Sequence, residues 1–374
     1  VTDAFNASQE YITVEPVYIG GYPVIKEQIA AAQAARDGLP GLSTINYPQV
    51  ITYADSGVAE PLDGYVDAYD VNVNVFYQGF TDPVTVDGQL YAFPYGPSAT
   101  YIFYNRDLLK EGGLDHYPET WAELKEVAPA FHEATGKPLL SLWGGSTGFN
   151  TINSFLIQTG VDPLGDGTTA RVDDPAIVQW VRDVKELVDN GGAEWIDTGN
   201  NTETDLKTKF LAGEAVSIPY SNTYYDLVLK DAGFDVGLAL YPENANRHVT
   251  TAGATLFIPA LNDQAVKNAA FQFLTYITND ENAKQFALDS AYLPTRRTIL
   301  EDEDSVAAFT ALYPDDEVIF AHMDDIIPKN SSPYFTPALT EIVEELTQIF
   351  NNGADIDETI ARTTDNVNYI LSGN

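Results

Sequence analysis

The chain contains no cysteine, which excludes thiol catalysis, disulfide bridges and thiolate metal sites, and fits work outside the cytoplasm that needs no disulfide. Histidine is scarce: His116, His132, His248 and His322 are the whole set, none at the i, i+4 spacing of a metal-binding helix. Basic residues number 19 against 55 acidic ones, a formal net charge of −36. A field of that sign excludes nucleic acid and anionic membrane surfaces as partners. No run approaches the roughly 18 uninterrupted apolar residues of a membrane span. No GxSxG elbow, HExxH zinc motif or GxxxxGK[ST] phosphate loop occurs, so no hydrolytic or nucleotide-binding constellation can be named. Repeats and low-complexity linkers are absent too, which predicts that any two lobes are joined by ordered strands rather than by a flexible tether.

What is present is a chain of 374 residues with 44% apolar content, enough for a large core divided into two or three domains. Its acids are spread through stretches such as "EDEDS", "YPDDE" and "EIVEEL", as on a solvated surface, and a saline habitat would screen their repulsion. With so many acids, paired carboxylates for glycoside cleavage carry no information. The stretch "DPLGDGTTARVDD" offers Asp162, Asp166, Asp173 and Asp174, but not in the order of a calcium loop. The opening "VTDAFNASQEY" reads as the later part of a helix without a start signal, and the expectation is that the natural beginning lies before it.

Helix and strand patterns alternate. "YITVEPVYI" predicts a strand, "YPVIKEQIAAAQAARDG" a helix closed by Gly38, and "GLSTINYPQV" a short strand ending in polar and aromatic residues. "TWAELKEVAPAFHEATG" has the capping-box pattern, Thr120 followed by Glu123. "DPAIVQWVRDVKELVDNGG" has Asp174 at its cap, Pro175 in its first turn and Gly191 beyond its end. Strands follow at "KPLLSLWGG", "EAVSIPYSN", "DVGLALYP" and "TTAGATLFIPA", and the chain ends in helices. Such alternation predicts an α/β protein with largely parallel sheets flanked by helices. The segment 99–104 is a further strand, crowded with Tyr101, Phe103 and Tyr104 where a core strand would favour aliphatic residues. Tyrosine hydroxyls need partners, so the crowding suggests the lining of a wet cleft.

Several strands end in small, polar and aromatic residues: Asn46 and Tyr47; Tyr95 and Ser98; Trp143, Ser146 and Phe149; Tyr220, Ser221, Asn222 and Tyr224. Ligands of open α/β sheets sit outside strand ends. Aromatic plates there would cover a sugar's C–H face while Ser, Asn and backbone amides take its hydroxyls.

The ordered set "YIFYNRDLLKEGGLDHYPETWAELKE", "FLAGEAVSIPYSN", "AGATLFIPA", "AAFQFLTYITNDENAKQFAL" and "AYLPTRR" resembles the extracellular solute-binding proteins of ABC importers, the group that includes maltose-, oligosaccharide- and glycerol-3-phosphate-binding proteins. The likeness runs over nearly the whole chain. It implies a two-lobed periplasmic-binding-protein fold of α/β class. The first lobe would comprise 1–105 plus 253–302 and the second 106–252 plus 303–374, joined by crossing strands near 99–105, "TTAGATLF" and "LPTRRTIL", with the ligand cleft between them.

The resemblance further implies a non-catalytic, extracytoplasmic, monomeric carrier, in the periplasm or lipid-anchored to the outer face of the cell membrane. It would take no cofactor or metal, and would deliver a small molecule to permease subunits. The spacing of "YIGGYPVIKEQIAAA" and "SAYLPTRR" is similar to the glycerol-3-phosphate branch, whose ligand contacts carry over to Tyr22, Ser98, Ser221, Gly253 and Tyr292. Two departures stand against phosphate: Tyr47 and Pro48 replace an expected acid, and an expected arginine near "KNSSPYFT" gives way to Ser332 and Tyr334. The implied ligand is therefore a neutral mono- or oligosaccharide, with a glycerol phosphate or phosphodiester as the alternative and a carbohydrate-active enzyme as the reading from another class. Tyr22, Tyr47, Trp143, Phe149, Tyr224 and Tyr292 would stack on or flank the ring. Ser98, Ser146, Ser221, Asn222 and the amides around Gly253 would make its hydrogen bonds, and Asn46, Tyr95 and Tyr334 complete the set.

Overall fold

A computed structural model describes residues 1–145, 148–330 and 332–373. The chain forms two compact units, one of Val1–Ser98, Thr251–Leu312 and Ile327–Lys329, the other of Ala99–Thr250, Tyr313–Ile326 and Asn330–Asn374. It passes between them first at Ser98–Ala99 and returns at Thr250–Thr251.

The first unit is built on a three-stranded sheet in which Ala252–Phe257 lies between Ser43–Asn46 and Phe93–Ser98, antiparallel to both. Ile45 and Phe257 are fully buried, and the Thr255 hydroxyl donates to Ile45 O at 2.9 Å. Helices Tyr22–Ala35, Tyr47–Asp55, Gln264–Ile277 and Asp280–Ser290 surround the sheet's residues in sequence. Phe271 of the third packs edge-on against Phe93 at 5.9 Å. The last helix is capped by Asn279, whose side chain accepts from Asn282 N, with Asp280 and Glu281 in its first turn, the placement that the helix dipole favours.

In the second unit Thr100–Asn105 lies between Ser217–Ser221 and Val236–Ala239, again antiparallel to both. Leu140–Trp143 and Ala193–Ile196 form a parallel pair, connected through the helices Phe149–Ile157 and Pro175–Asp189, as a parallel crossover requires. Helix Trp121–Thr135 begins with the Thr120 side chain accepting from Glu123 N, while Glu123 reaches back to Glu119 N at 2.8 Å. Asp174 caps Pro175–Asp189 by accepting from Ala176 N. Asp315 gathers Arg106 Nη2 at 2.6 Å, the Tyr225 hydroxyl at 3.0 Å and Leu238 N at 2.9 Å. Beside it, burial and the Asp315 charge push the Asp316 carboxyl up to about 8.

Three expectations need correction. The strand expected over "YITVEPVYI" does not form: Tyr11 and Tyr18 are more than nine-tenths exposed. The backbone of Tyr11, Ile12 and Val14 bonds to the side chains of Gln9 and Asn6 rather than to a neighbouring strand. Pairing is mostly antiparallel, because each central strand runs against both its neighbours. Finally, Thr100–Asn105 lies wholly in the second unit, held on both sides by that unit's strands, whereas Glu303–Leu312, expected in the second lobe, belongs to the first unit. Lys284 Nζ donates there to Ser305 Oγ at 3.0 Å.

Candidate functional site

In the first unit, the Ser43–Asn46 strand runs straight into the Tyr47–Asp55 helix, with Asn46 at its N-cap and Pro48 in its first turn. Asparagine is favoured at that position because its side chain can accept a helix N–H. Here it makes no cap bond, and its Oδ1 is buried without a hydrogen-bond partner. The adjacent Tyr47 is 1% exposed and its hydroxyl is likewise buried without a partner. Burial and the neighbouring Tyr22 push the Tyr47 phenol well above its usual range. Tyr22 opens its own helix behind Gly21, and burial together with Tyr292 pushes it up to about 12.

Tyr292 extends this row. It stacks on Phe286 at 5.6 Å, and Phe286 stacks on Tyr95 at 4.3 Å. Leu293 N donates to Pro97 O at 2.9 Å and so ties the turn after Tyr292 to the sheet. Gly253 has φ +100°, and a Cβ there would stand 2.0 Å from Gly96 O. Its glycine is demanded by close strand approach. Ser98 is buried opposite Ala252 at the strand end. The first unit thus brings Tyr22, Asn46, Tyr47, Tyr95 and Tyr292 onto one sheet end.

In the second unit, Trp143 stacks on Tyr220 with centroids 5.6 Å apart, and Tyr224 meets Tyr220 edge-on at 4.6 Å. Glu203 Oε1 accepts from the Tyr220 hydroxyl at 2.9 Å and from that of Tyr224 at 3.4 Å. Lys207 Nζ stands 5.3 Å over the Tyr224 ring. Ser221 Oγ shares a hydrogen bond with Thr223 Oγ1 at 2.9 Å. Asn222 is engaged with the backbone: its Oδ1 accepts from Ala99 N at 3.0 Å and its N donates to Ala99 O. Phe149 packs edge-on against Phe335 at 6.4 Å, and the Tyr334 hydroxyl stands beside Gly373. Ser146 lies outside the described residues.

The tyrosine-rich strand that suggested a cleft lining serves other ends. Tyr101 and Phe103 are buried in the second unit, and Tyr104 stacks on Tyr117 at 5.4 Å with Arg106 over its ring. Sequence reasoning also missed Glu203, Lys207 and Phe286. Glu203 is one of 55 acids, and only its fold-dependent meeting with Tyr220 singles it out. Among the described residues no group of three or more metal-ligating side chains comes together, and no helix is long and apolar enough to cross a membrane. What the two groups offer is ring faces with hydroxyl, amide and carboxylate edges, suited to binding by stacking and hydrogen bonds.

The sequence model of bacterial extracellular solute-binding proteins matches residues 1–312. The chain belongs to that family. Its relatives include the sn-glycerol-3-phosphate-binding periplasmic protein of Brucella melitensis, 24% identical over 315 residues that make up 80% of this chain and 71% of the relative. The fold of this solute-binding protein matches that of UgpB from Mycobacterium tuberculosis, solved with glycerophosphocholine (TM-score 0.84, 22% identity, 99% and 93% of the two chains). It also matches the cyclic α-maltosyl-1,6-maltose binding protein of Arthrobacter globiformis (TM-score 0.86, 20% identity, 100% and 94%).

Proposed function

We propose that the protein captures a neutral mono- or oligosaccharide outside the cytoplasm, by hinge movement at the chain crossings between its units, and delivers it as a monomer to the permease of an ABC importer. The observation that carries this reading is the pair Asn46 Oδ1 and Tyr47 Oη, both buried without partners in the unit that holds the Tyr22, Tyr95, Phe286 and Tyr292 rings. A buried polar atom left unpaired costs about 1–3 kcal/mol. Two adjacent ones are accounted for by a ligand that supplies the missing bonds. A sugar brings hydroxyls for these atoms and a C–H face for the rings. A phosphate wants arginine or a donor cluster, and none of these side chains is cationic.

The Arthrobacter protein, which binds a cyclic maltosaccharide, supports this choice. The second reading, a carrier of glycerol 3-phosphate or a glycerophosphodiester, draws on the Brucella relative and the Mycobacterium structure. Titration calorimetry with mono- to tetrasaccharides, glycerol 3-phosphate and glycerophosphocholine separates the two: the expected result is binding of a neutral sugar, and binding confined to the phosphates overturns it. No catalytic role is part of the proposal. New reducing ends on incubation with oligosaccharides would replace the carrier with an enzyme.

A further inference from the structure

Glu203 lies in the first turn of the Thr202–Leu211 helix. Each phenol has one proton to donate, and those of Tyr220 and Tyr224 are both directed at Glu203 Oε1, at 2.9 and 3.4 Å. Burial, and then the Glu203 charge, push the Tyr220 phenol far above its usual range, so it keeps its proton at physiological pH. What the two hydroxyls and the carboxylate retain for any other partner is lone pairs. Lys207, one turn along the helix, has its ammonium over the face of Tyr224. Trp143 lies against Tyr220 with the two rings only 21° from parallel. The group is therefore three aromatic rings with an edge of carboxylate and phenol oxygens that accept hydrogen bonds, while the Lys207 cation is placed over a ring face.

We propose that this group is a ligand subsite in which Glu203 determines specificity, admitting a polyhydroxyl ring that donates to the acceptor edge and disfavouring a phosphate group, whose ionised oxygens only accept and carry the same sign of charge as Glu203. The inference rests on the sugar-capture reading and adds to it the residue that enforces the choice. A phosphate brought to a half-buried carboxylate meets both repulsion and an unreturned desolvation cost. A sugar hydroxyl donating to a carboxylate makes a charge-assisted bond, stronger than a neutral one.

The test is calorimetry on the wild-type chain and Glu203→Gln, with a panel of mono- to tetrasaccharides, glycerol 3-phosphate and glycerophosphocholine as probes. Thermal melting serves as the fold control. The wild type is expected to bind a neutral sugar and neither phosphate. Glu203→Gln, which removes the charge and replaces one accepting oxygen with a donating NH2, is expected to bind that sugar at least about tenfold more weakly and to gain measurable affinity for glycerol 3-phosphate. Should Glu203→Gln melt early, Tyr224→Phe, which leaves the charge in place, is expected to bind the sugar several-fold more weakly. Sugar affinity within twofold of wild type in folded Glu203→Gln removes the subsite and leaves the sugar reading standing. A wild type that binds only the phosphates removes both. Glycerophosphocholine binding that Glu203→Gln abolishes would make the group a site for the cationic headgroup instead.

Discussion

The two units use the same residue types in opposite ways. In the first, Asn46 ends a strand and Tyr47 starts the helix after it, with a side-chain oxygen and a hydroxyl that no described residue satisfies. In the second, Asn222 closes a strand start through Ala99 N, and Tyr220 and Tyr224 donate to Glu203. Chemistry alone does not separate these Asn and Tyr residues. The supply of local partners does: Asn222, Tyr220 and Tyr224 find theirs within the unit, whereas Asn46 Oδ1 and Tyr47 Oη do not.

The largest effect is expected at the sheets. Gly253→Ala places a methyl 2.0 Å from the Gly96 carbonyl at φ +100°. Backbone cannot yield there, and the loss should reach about 3 kcal/mol in urea unfolding. For Gly237→Ala in the other unit's sheet the nearest atoms belong to the Tyr104 side chain rather than to backbone, so its cost should be about half as large. Equal losses would break the contrast.

Next come the two asparagines. Asn222→Ala strands the buried Ala99 N–H and should cost about 2 kcal/mol of stability. Asn46→Ala removes an atom that bonds to nothing and should leave stability within about 0.5 kcal/mol, while weakening sugar binding about tenfold by calorimetry. Tyr47→Phe sharpens the same point: the melting temperature should hold or rise, because an unpaired buried hydroxyl is lost, and affinity should fall. A Tyr47→Phe protein that melts early would place the hydroxyl in the fold instead.

The smallest effect lies where the second unit departs from its own habit. The Tyr101 hydroxyl there is buried without a partner, with the carboxyl groups of Asp316 and Asp325 nearby. The Asp316 carboxyl is raised to about 8 by burial and Asp315. Below about pH 4 both folded and unfolded chains hold this proton. As pH rises towards 8 only the folded chain keeps it, and stability falls. Asp316→Asn should therefore stabilise by about 1 kcal/mol at pH 8, after allowance for partial solvent screening, and by nothing at pH 4. A pH-independent difference would contradict the assignment.

Local signals were legible in the sequence. Thr120 with Glu123 and Asp174 with Pro175 start helices where the capping patterns place them. Strands end at Asn46, Ser98, Trp143 and Ser221, within the stretches where the sequence turns to small, polar and aromatic residues. Pairing direction was not legible, since strand neighbours come from segments far apart in the chain. Nor could composition show that "YITVEPVYI" would bond to Asn6 and Gln9, or that Tyr47 and Tyr101 would both be buried with unpaired hydroxyls. Glu203 acquires its meaning only from two tyrosines that folding brings to it.

The most direct test is a crystal structure of the protein with the sugar that calorimetry selects. The account predicts sugar hydroxyls within hydrogen-bond distance of Asn46 Oδ1 and Tyr47 Oη and a ring face on Tyr22 or Tyr292. A bound ligand that leaves both atoms without partners would contradict it.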